Sequence, residues 1–413
     1  MPLLLPDQRA AGRAIPLRMR ADLECRRQTF GGRRYWAVKD PISLKYFHLA
    51  ADEWFVLTML DGRTSADEMR RRFNAQFAPR SLGTAQLEAF LSRLHRGGLL
   101  LADSPGQGKQ LLDRHAKRAR RERYHALLGA LAIRFRGVNP RPLLDWLWPK
   151  CRFLFSPACV AVNLLLAVGA VLLIVVQFDT FHARLPEFRA IVAAENLPWL
   201  LVALAATKMM HELGHALACR TFCGDCHEIG FMLLVFVPCL YCNVSDSWMF
   251  DNKWRRIAVA AAGIYVELIL ASTCTFLWWW TEPGLFNSLC LNTMLICSLG
   301  TLAINANPLL RYDGYFILSD LVEVPNLAAR SRAVLIGYLR RWCLGWDHPG
   351  DRGTPARYPE LLAAYAVASI AYRWIVVIAV LWGLHELART YRLELLVFAL
   401  AAVVGMAAAL PIV

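Results

Sequence analysis

His211-Glu212-Leu213-Gly214-His215 brings two imidazoles and a carboxylate into one short run. Histidines at i and i+4 share one face of a helix, where both can reach a single Zn²⁺ at about 2.0–2.1 Å. Glu212 lies one position round the helix, placed to take a proton from a zinc-activated water that attacks a peptide carbonyl. The pattern is therefore that of a metal-dependent peptide hydrolase. Two further His-Glu pairs lack the second imidazole: Phe231 stands four residues after His227, and Arg389 four after His385. Neither pair is assigned to metal.

The elements that position this run read as membrane spans. From Leu197 to Ala218 the residues are mostly Leu, Ala, Val, Met and Trp. At 1.5 Å per residue that length crosses a hydrocarbon layer of about 30 Å. Ionisable groups in such a setting are costly unless paired, hydrogen-bonded between helices or metal-bound, so they mark a functional site by default. The whole chain agrees: 413 residues, 57% hydrophobic, mean hydropathy +0.36. Its net charge of +14 comes from Lys and Arg gathered beside apolar runs, which fits membrane topology better than nucleic-acid binding. Twelve cysteines, several inside apolar runs, read as small buried hydrophobes rather than a disulfide framework.

Six spans are expected, at about 158–178, 197–218, 257–280, 289–310, 361–384 and 393–412. Basic residues crowd 106–152, Lys253-Trp254-Arg255-Arg256 and 330–357, whereas the loops near 179–196 and 281–287 are poorer in them. By the positive-inside rule both ends are then cytosolic in a multi-pass protein of the inner (cytoplasmic) membrane. Met1-Pro-Leu-Leu-Leu-Pro-Asp lacks a basic n-region ahead of an apolar core, so no cleavable signal peptide is expected. The basic connector 106–155 is expected to lie along anionic headgroups, with Trp146 and Trp148 at the interface.

This topology puts His211 and His215 in the cytosolic half of their span. The fourth span descends the same way and ends in Asn305-Ala306-Asn307-Pro308-Leu309-Leu310-Arg311-Tyr312-Asp313-Gly314. Pro308 breaks the helix, which a membrane tolerates only where freed backbone groups are buried in protein or face a wet site. Asp313 arrives near the depth of the histidines, and two histidines with one carboxylate leave an open zinc position. These paired motifs resemble the site-2 protease family of intramembrane zinc metalloproteases over about 156–320, and Ala262-Gly263 resembles that family's small-residue motif for close helix approach. The resemblance implies His211, His215 and Asp313 as zinc ligands and Glu212 as catalytic base.

Ahead of the connector, residues 17–101 read as a soluble unit: short strands about Thr29-Phe30-Gly31-Gly32-Arg33, then three helices. Ser65 with Glu68 forms a capping-box pattern, Thr84 suits an N-cap, and Gly97-Gly98 suits a helix stop. The segment from Phe47 to Trp54 and on through Leu60-Asp61-Gly62 resembles PqqD-like peptide-chaperone domains, which implies recruitment of a ribosomally made peptide. A winged helix of this kind also fits DNA binding or scaffolding. Between spans two and three, Gly224–Cys239 contains an apolar stretch too short to span as a helix. It reads as a membrane-associated β-hairpin whose edge, with Phe231, Leu233 and Asn307, would hold an unwound substrate strand, or else as a plug that seals the bundle. Cys223-x-x-Cys226 and Cys239-x-x-Cys242 stand closer together than in a zinc ribbon, so no second metal is expected there. Glu267 fits either an interhelical hydrogen bond or a role near the metal.

The sequence thus describes an α-helical polytopic membrane protein with a small N-terminal α+β winged-helix-like domain (1–105), a connector (106–155) and an intramembrane metalloprotease domain (156–413). The expected function is that of a zinc endopeptidase acting on a peptide or membrane-associated substrate, in peptide maturation or export. Expected partners are membrane lipid, the peptide or transmembrane substrate and peptide-modification or export machinery, with no nucleic acid. The rival readings are a non-catalytic export component and a membrane-tethered winged-helix regulator.

Overall fold

The computed structural model describes residues 14–30, 32–102, 132–135, 137–191, 193–234, 237–345, 358–390, 395 and 397–401. The chain divides into two compact units, Met1–Leu299 and Gly300–Val413.

The first unit begins with five strands and three helices. Strands β2 (Glu24–Phe30), β3 (Arg33–Asp40) and β4 (Lys45–Ala50) form an antiparallel sheet in that order, while β1 (Leu17–Met19) pairs with β5 (Leu100–Ala102). Phe30 pairs with Arg33 across the expected turn, where Gly32 takes φ +75°. The sequence reading expected fewer strands, because Lys45–Ala50 runs without a break into helix α1 (Ala51–Thr58) and carries no turn residue at the join. Helices α2 (Ala66–Gln76) and α3 (Thr84–Gly97) complete a core of Val38, Leu57, Met69, Leu87 and Leu94.

The capping pattern is realised in part. Glu68 N donates to Ser65 Oγ at 3.3 Å, but the Glu68 carboxylate turns to Arg71 and Arg72 instead of closing the box. Gly83, not Thr84, is the N-cap of α3, and its N–H donates to Gln86 Oε1 at 3.2 Å. Gly98 ends the helix at φ +82°, the left-handed conformation that suits a residue without Cβ.

This N-terminal sheet docks on the loop Ser245–Met249 through a buried carboxylate. Asp246 accepts from Tyr46 Oη at 2.5 Å, Lys39 Nζ at 2.9 Å, His227 Nε2 at 3.0 Å and Asp225 N at 3.1 Å. Burial opposes the charge, but donation from His227, Tyr46 and Lys39 outweighs it and holds the carboxyl well below the ordinary carboxylate range. Beside it, His48 lies 5.5 Å from the Trp248 ring, and burial, then Arg256, lowers its pKa from 6.5 to about 4. His48 is therefore neutral when docked, whereas an undocked imidazole takes a proton below about 6.5. Docking stability from His48 is complete above pH 6.5 and is lost as pH falls towards 4, by about 3 kcal/mol at most. Hydrogen exchange of β4 and residues 245–249 between pH 7.5 and 4.5 checks this: protection should fall in the wild type and stay level in His48→Phe.

The remainder of the first unit is helical around one small sheet. Helix α4 (Arg141–Cys151) precedes α5 (Pro157–Val176), α6 (Leu197–Thr221), α7 (Lys253–Trp280) and α8 (Leu285–Gly300). The expected hairpin is present as β7 (Ile229–Leu234) and β8 (Val237–Cys242). A third strand, β6 (Ala132–Arg134) from the basic connector, lies on the outer side of β7, so the sheet order is β6-β7-β8. Leu144 of α4 packs with Ala216 and Leu217 of α6. The connector's last residues, expected along the membrane surface, thus take part in this sheet and in packing against α6. Three residues of strand in a basic run leave too little period for the sequence to reveal them.

The second unit opens with a π-turn at Thr301–Asn305, continuing the helix that begins at Leu285, followed by α9 (Asp313–Val322), α10 (Leu327–Leu344) and α11 (Pro359–Thr390). Pro308 interrupts the chain as expected, and the freed carbonyls are satisfied within the unit. Tyr365 Oη donates to Pro308 O at 2.7 Å, Ser369 Oγ to Leu309 O at 2.7 Å, and Tyr372 Oη to Ala303 O at 2.8 Å.

Among the described residues, four helices are long and apolar enough to cross a membrane: Pro157–Val176, Lys253–Trp280, Leu285–Asn305 and Pro359–Glu386. Val162, Leu165, Val171 and Val175 of the first lie bare on its surface, a continuous apolar patch that water would not tolerate. Helix α6 has the length of a span but carries Lys208, Glu212 and Arg220 as well as its histidines. The last expected span, 393–412, falls mostly outside the described residues.

Candidate metal centre

Helix α6 buries one face against α7, and the crossing is close because it is made of small residues. A Cβ on Gly214 would lie 3.0 Å from Ala262 O. One turn away, Gly263 faces the two histidines: a Cβ there would stand 2.5 Å from both His211 Nε2 and His215 Nε2. The expected close approach at Ala262-Gly263 is thus an approach to the imidazoles themselves.

Both rings are buried, at 5% and 7% exposure, and both are held from behind. His215 Nδ1 lies 2.8 Å from Val259 O, a carbonyl that can only accept, so the proton sits on Nδ1. His211 Nδ1 lies 3.1 Å from Glu267 Oε1, which favours the same tautomer. The two Nε2 atoms then face each other at 3.1 Å, each presenting a lone pair. Two acceptors so close repel unless a cation lies between them, and ligands of one tetrahedral zinc stand at about this separation. Two imidazole nitrogens converging in this way fit zinc as two of its ligands.

Glu267 makes the interhelical contact that was one of the two alternatives expected of it. It is 1% exposed, and its Oε1 receives Lys208 Nζ at 2.6 Å across the helix pair while also facing His211. A carboxylate behind a ligating histidine fixes the ring and raises its basicity. Glu267→Gln is therefore expected to weaken zinc binding by about 10- to 100-fold, as measured by competition with a chromophoric chelator, with the fold retained because the amide still fills the site. An unchanged affinity would reduce Glu267 to a link between helices.

Glu212 is partly exposed on the same helix, one position beyond His211. Its charge reaches the base of the hairpin, where Cys226 Sγ and Cys242 Sγ lie 3.2 Å apart. Cys242 donates to Cys226, holding the Cys226 thiol below its usual range and pushing its own up, and the Glu212 charge opposes ionisation of both. The four cysteines do not gather as one set among the described residues: Cys223 is exposed at φ +64°, and the Cys239 side chain lies outside them.

The remaining predicted residues are spread more widely. Phe231 lies on β7, the middle strand, where its carbonyl accepts from Phe135 N at 2.9 Å and its ring lies 5.6 Å from Phe135. Leu233, on the same strand, pairs through its backbone with Ile133 and Pro238. The backbone edge expected to receive substrate at β7 is therefore filled by β6, and the free edge among the described strands of the pair is that of β8. Asn307 closes a turn ahead of α9, its Oδ1 accepting from Leu309 N at 2.9 Å. Asp313 is the first residue of α9, and Gly314 behind it sits against the Ala306 backbone too tightly to carry a side chain. The two His-Glu pairs set aside from metal have other surroundings: His227 serves Asp246, Glu228 Oε1 accepts from Gly137 N and Tyr241 Oη, both at 2.7 Å, and the His385 ring lies 5.6 Å from Phe398. Asp246 itself went unseen in the sequence, where one Asp in Asn243-Val-Ser-Asp246 gives no sign of its four donors.

Over 123 residues the chain is 27% identical to a Bacillus subtilis (strain 168) protein named "Putative peptide zinc metalloprotease protein YydH"; the match covers 29% of this chain and 47% of that one. The chain thus matches about half the length of that relative. Neither a family profile nor a solved structure matches. The likeness supports a zinc metalloprotease-like role at the level of class.

Proposed function

We propose that the chain is a multi-pass zinc endopeptidase of the inner membrane, with His211, His215 and Asp313 as metal ligands and Glu212 as general base. The observation that carries this reading is the pair of Nε2 atoms at 3.1 Å, each with its Nδ1 engaged from behind. Zinc bound there would supply Lewis acidity towards water and a peptide carbonyl. Glu212 takes the proton of the attacking water and passes it to the departing amine, which completes hydrolysis without a covalent enzyme intermediate. Glu267 Oε1 and Val259 O face the Nδ1 atoms of His211 and His215, which turns both Nε2 atoms towards the metal. The burial of this face excludes bulk water and strengthens each of these interactions. Asn307, Phe231 and Leu233 line the substrate path in this reading, and an extended substrate pairs at the edge of the hairpin sheet.

The substrate is a peptide or membrane-associated segment, recruited by the PqqD-like N-terminal domain at the outer edge of β2, which no described strand covers. Peptide maturation or export is the accompanying role, with modification or export machinery as partner and no nucleic acid. Asp313→Asn tests the ligand set. Purified variant should lose zinc and cleavage together, by about a hundredfold or more, because an amide is a poor zinc ligand. Full zinc with near-normal cleavage would remove Asp313 from the site.

A further inference from the structure

A second polar site lies entirely within the second unit. A cavity of 310 Å³ is lined by Arg311, Arg332 and Arg373, together with Tyr365, Ser369 and Ile370. The three arginines come from three different elements: the turn after Pro308, α10 and α11. Among the described residues none of the three is paired with a carboxylate, although Arg311 also lies over the Tyr315 ring at 6.0 Å. Tyr365 and Ser369 donate their hydroxyl protons to Pro308 O and Leu309 O. Three cations around one opening, with no carboxylate among the described residues paired to them, make a receptor for a multiply accepting anion.

The surroundings say which anion. Tyr365, Ser369 and Arg373 stand at i, i+4 and i+8 on one face of α11, and beyond them the helix runs on through Trp374, Ile375, Ile378 and Trp382, all bare on its surface. At 1.5 Å per residue the 32 residues of α11 measure about 48 Å, well over the roughly 30 Å of hydrocarbon, so one end must lie among headgroups. Arg373 is the fifteenth of those 32 residues, about 21 Å from the start of the helix, so placing it at headgroup depth leaves 374–390, about 26 Å, for the acyl layer and keeps the guanidinium out of hydrocarbon. Basic pockets between helices at a membrane surface bind anionic headgroups.

We propose that Arg311, Arg332 and Arg373 form a binding site for the phosphate headgroup of an anionic phospholipid, with the acyl chains continuing along the bare face of α11. The site is separate from the proposed chemistry and does not depend on it. Guanidinium forks donate to the phosphate oxygens in pairs, and Ile370 gives the first methylenes an apolar contact.

The full-length protein in neutral detergent, titrated with phosphatidylglycerol and read by native mass spectrometry, tests the proposal. One tightly held phosphatidylglycerol per chain is expected, with phosphatidylcholine failing to displace it and millimolar inorganic phosphate displacing it weakly. Each Arg→Gln change at 311, 332 or 373 should weaken retention roughly fivefold, and the triple variant about a hundredfold. Should the triple variant not fold, the three single variants carry the same test. Equal retention by wild type and variants would overturn the site. So would equal retention of phosphatidylcholine, full displacement by inorganic phosphate, or displacement by an acidic peptide, the last of which would make the cavity a substrate subsite.

Discussion

Gly263→Ala is expected to empty the metal centre of a chain that still folds. In an ordinary helix the change would be favourable, since Ala is a better helix former than Gly by about 1 kcal/mol. Here the added methyl would stand 2.5 Å from both His211 Nε2 and His215 Nε2, well inside contact distance. The rings can retreat only by giving up Glu267 on one side or Val259 O on the other. A donor set must be held to within about half an ångström to bind its metal, so zinc affinity should fall by at least about a hundredfold. Metal analysis of the purified variant, with circular dichroism to verify helix content, measures the effect. A variant with one zinc and normal affinity would mean that the two rings do not converge as drawn.

Glu212→Gln is expected to have the opposite signature, full zinc with almost no cleavage. Gln keeps the shape of Glu but cannot take a proton from water, and a general base contributes about 10²- to 10⁴-fold. Glu212 is not one of the proposed ligands, so zinc should stay in place when it is replaced. The variant should also retain uncut substrate, which makes it the reagent for identifying that substrate by pull-down from membranes. Loss of zinc together with activity would move Glu212 from the proton-transfer role to the structure of the site.

The convergence of the two imidazoles was legible because i, i+4 spacing is a local property of one helix, and His211 and His215 needed no knowledge of the rest of the fold. Gly263 was legible as a small residue but not as the floor beneath two imidazoles, since what a glycine faces depends on the crossing of two helices fifty residues apart in sequence. Glu267 was visible as a charge in an apolar helix, while its shared contact with Lys208 and His211 is tertiary. The N-terminal helices announced themselves through period and caps, with an error of one residue at Thr84, while of the strands β1, β4 and β5 were missed. Strand order was the least legible feature, because β6 is three residues long and its partner lies almost a hundred residues later. Asp246 shows the same limit: its donors come from β3, β4 and the approach to β7, and no local pattern predicts that they meet.

The place of β6 bears on how this protein can be cut into pieces. A fragment begun at residue 156, just ahead of the first apolar helix, would lose β6 and α4 together. Phe231, Leu233 and their neighbours would then offer a bare row of backbone donors and acceptors, the kind of edge along which separate chains zip together. Leu144 would also leave the packing against α6 beside His215. The smallest fragment that keeps β7 covered therefore starts ahead of Ala132, and β6 is best regarded as a lid sewn over a sticky edge.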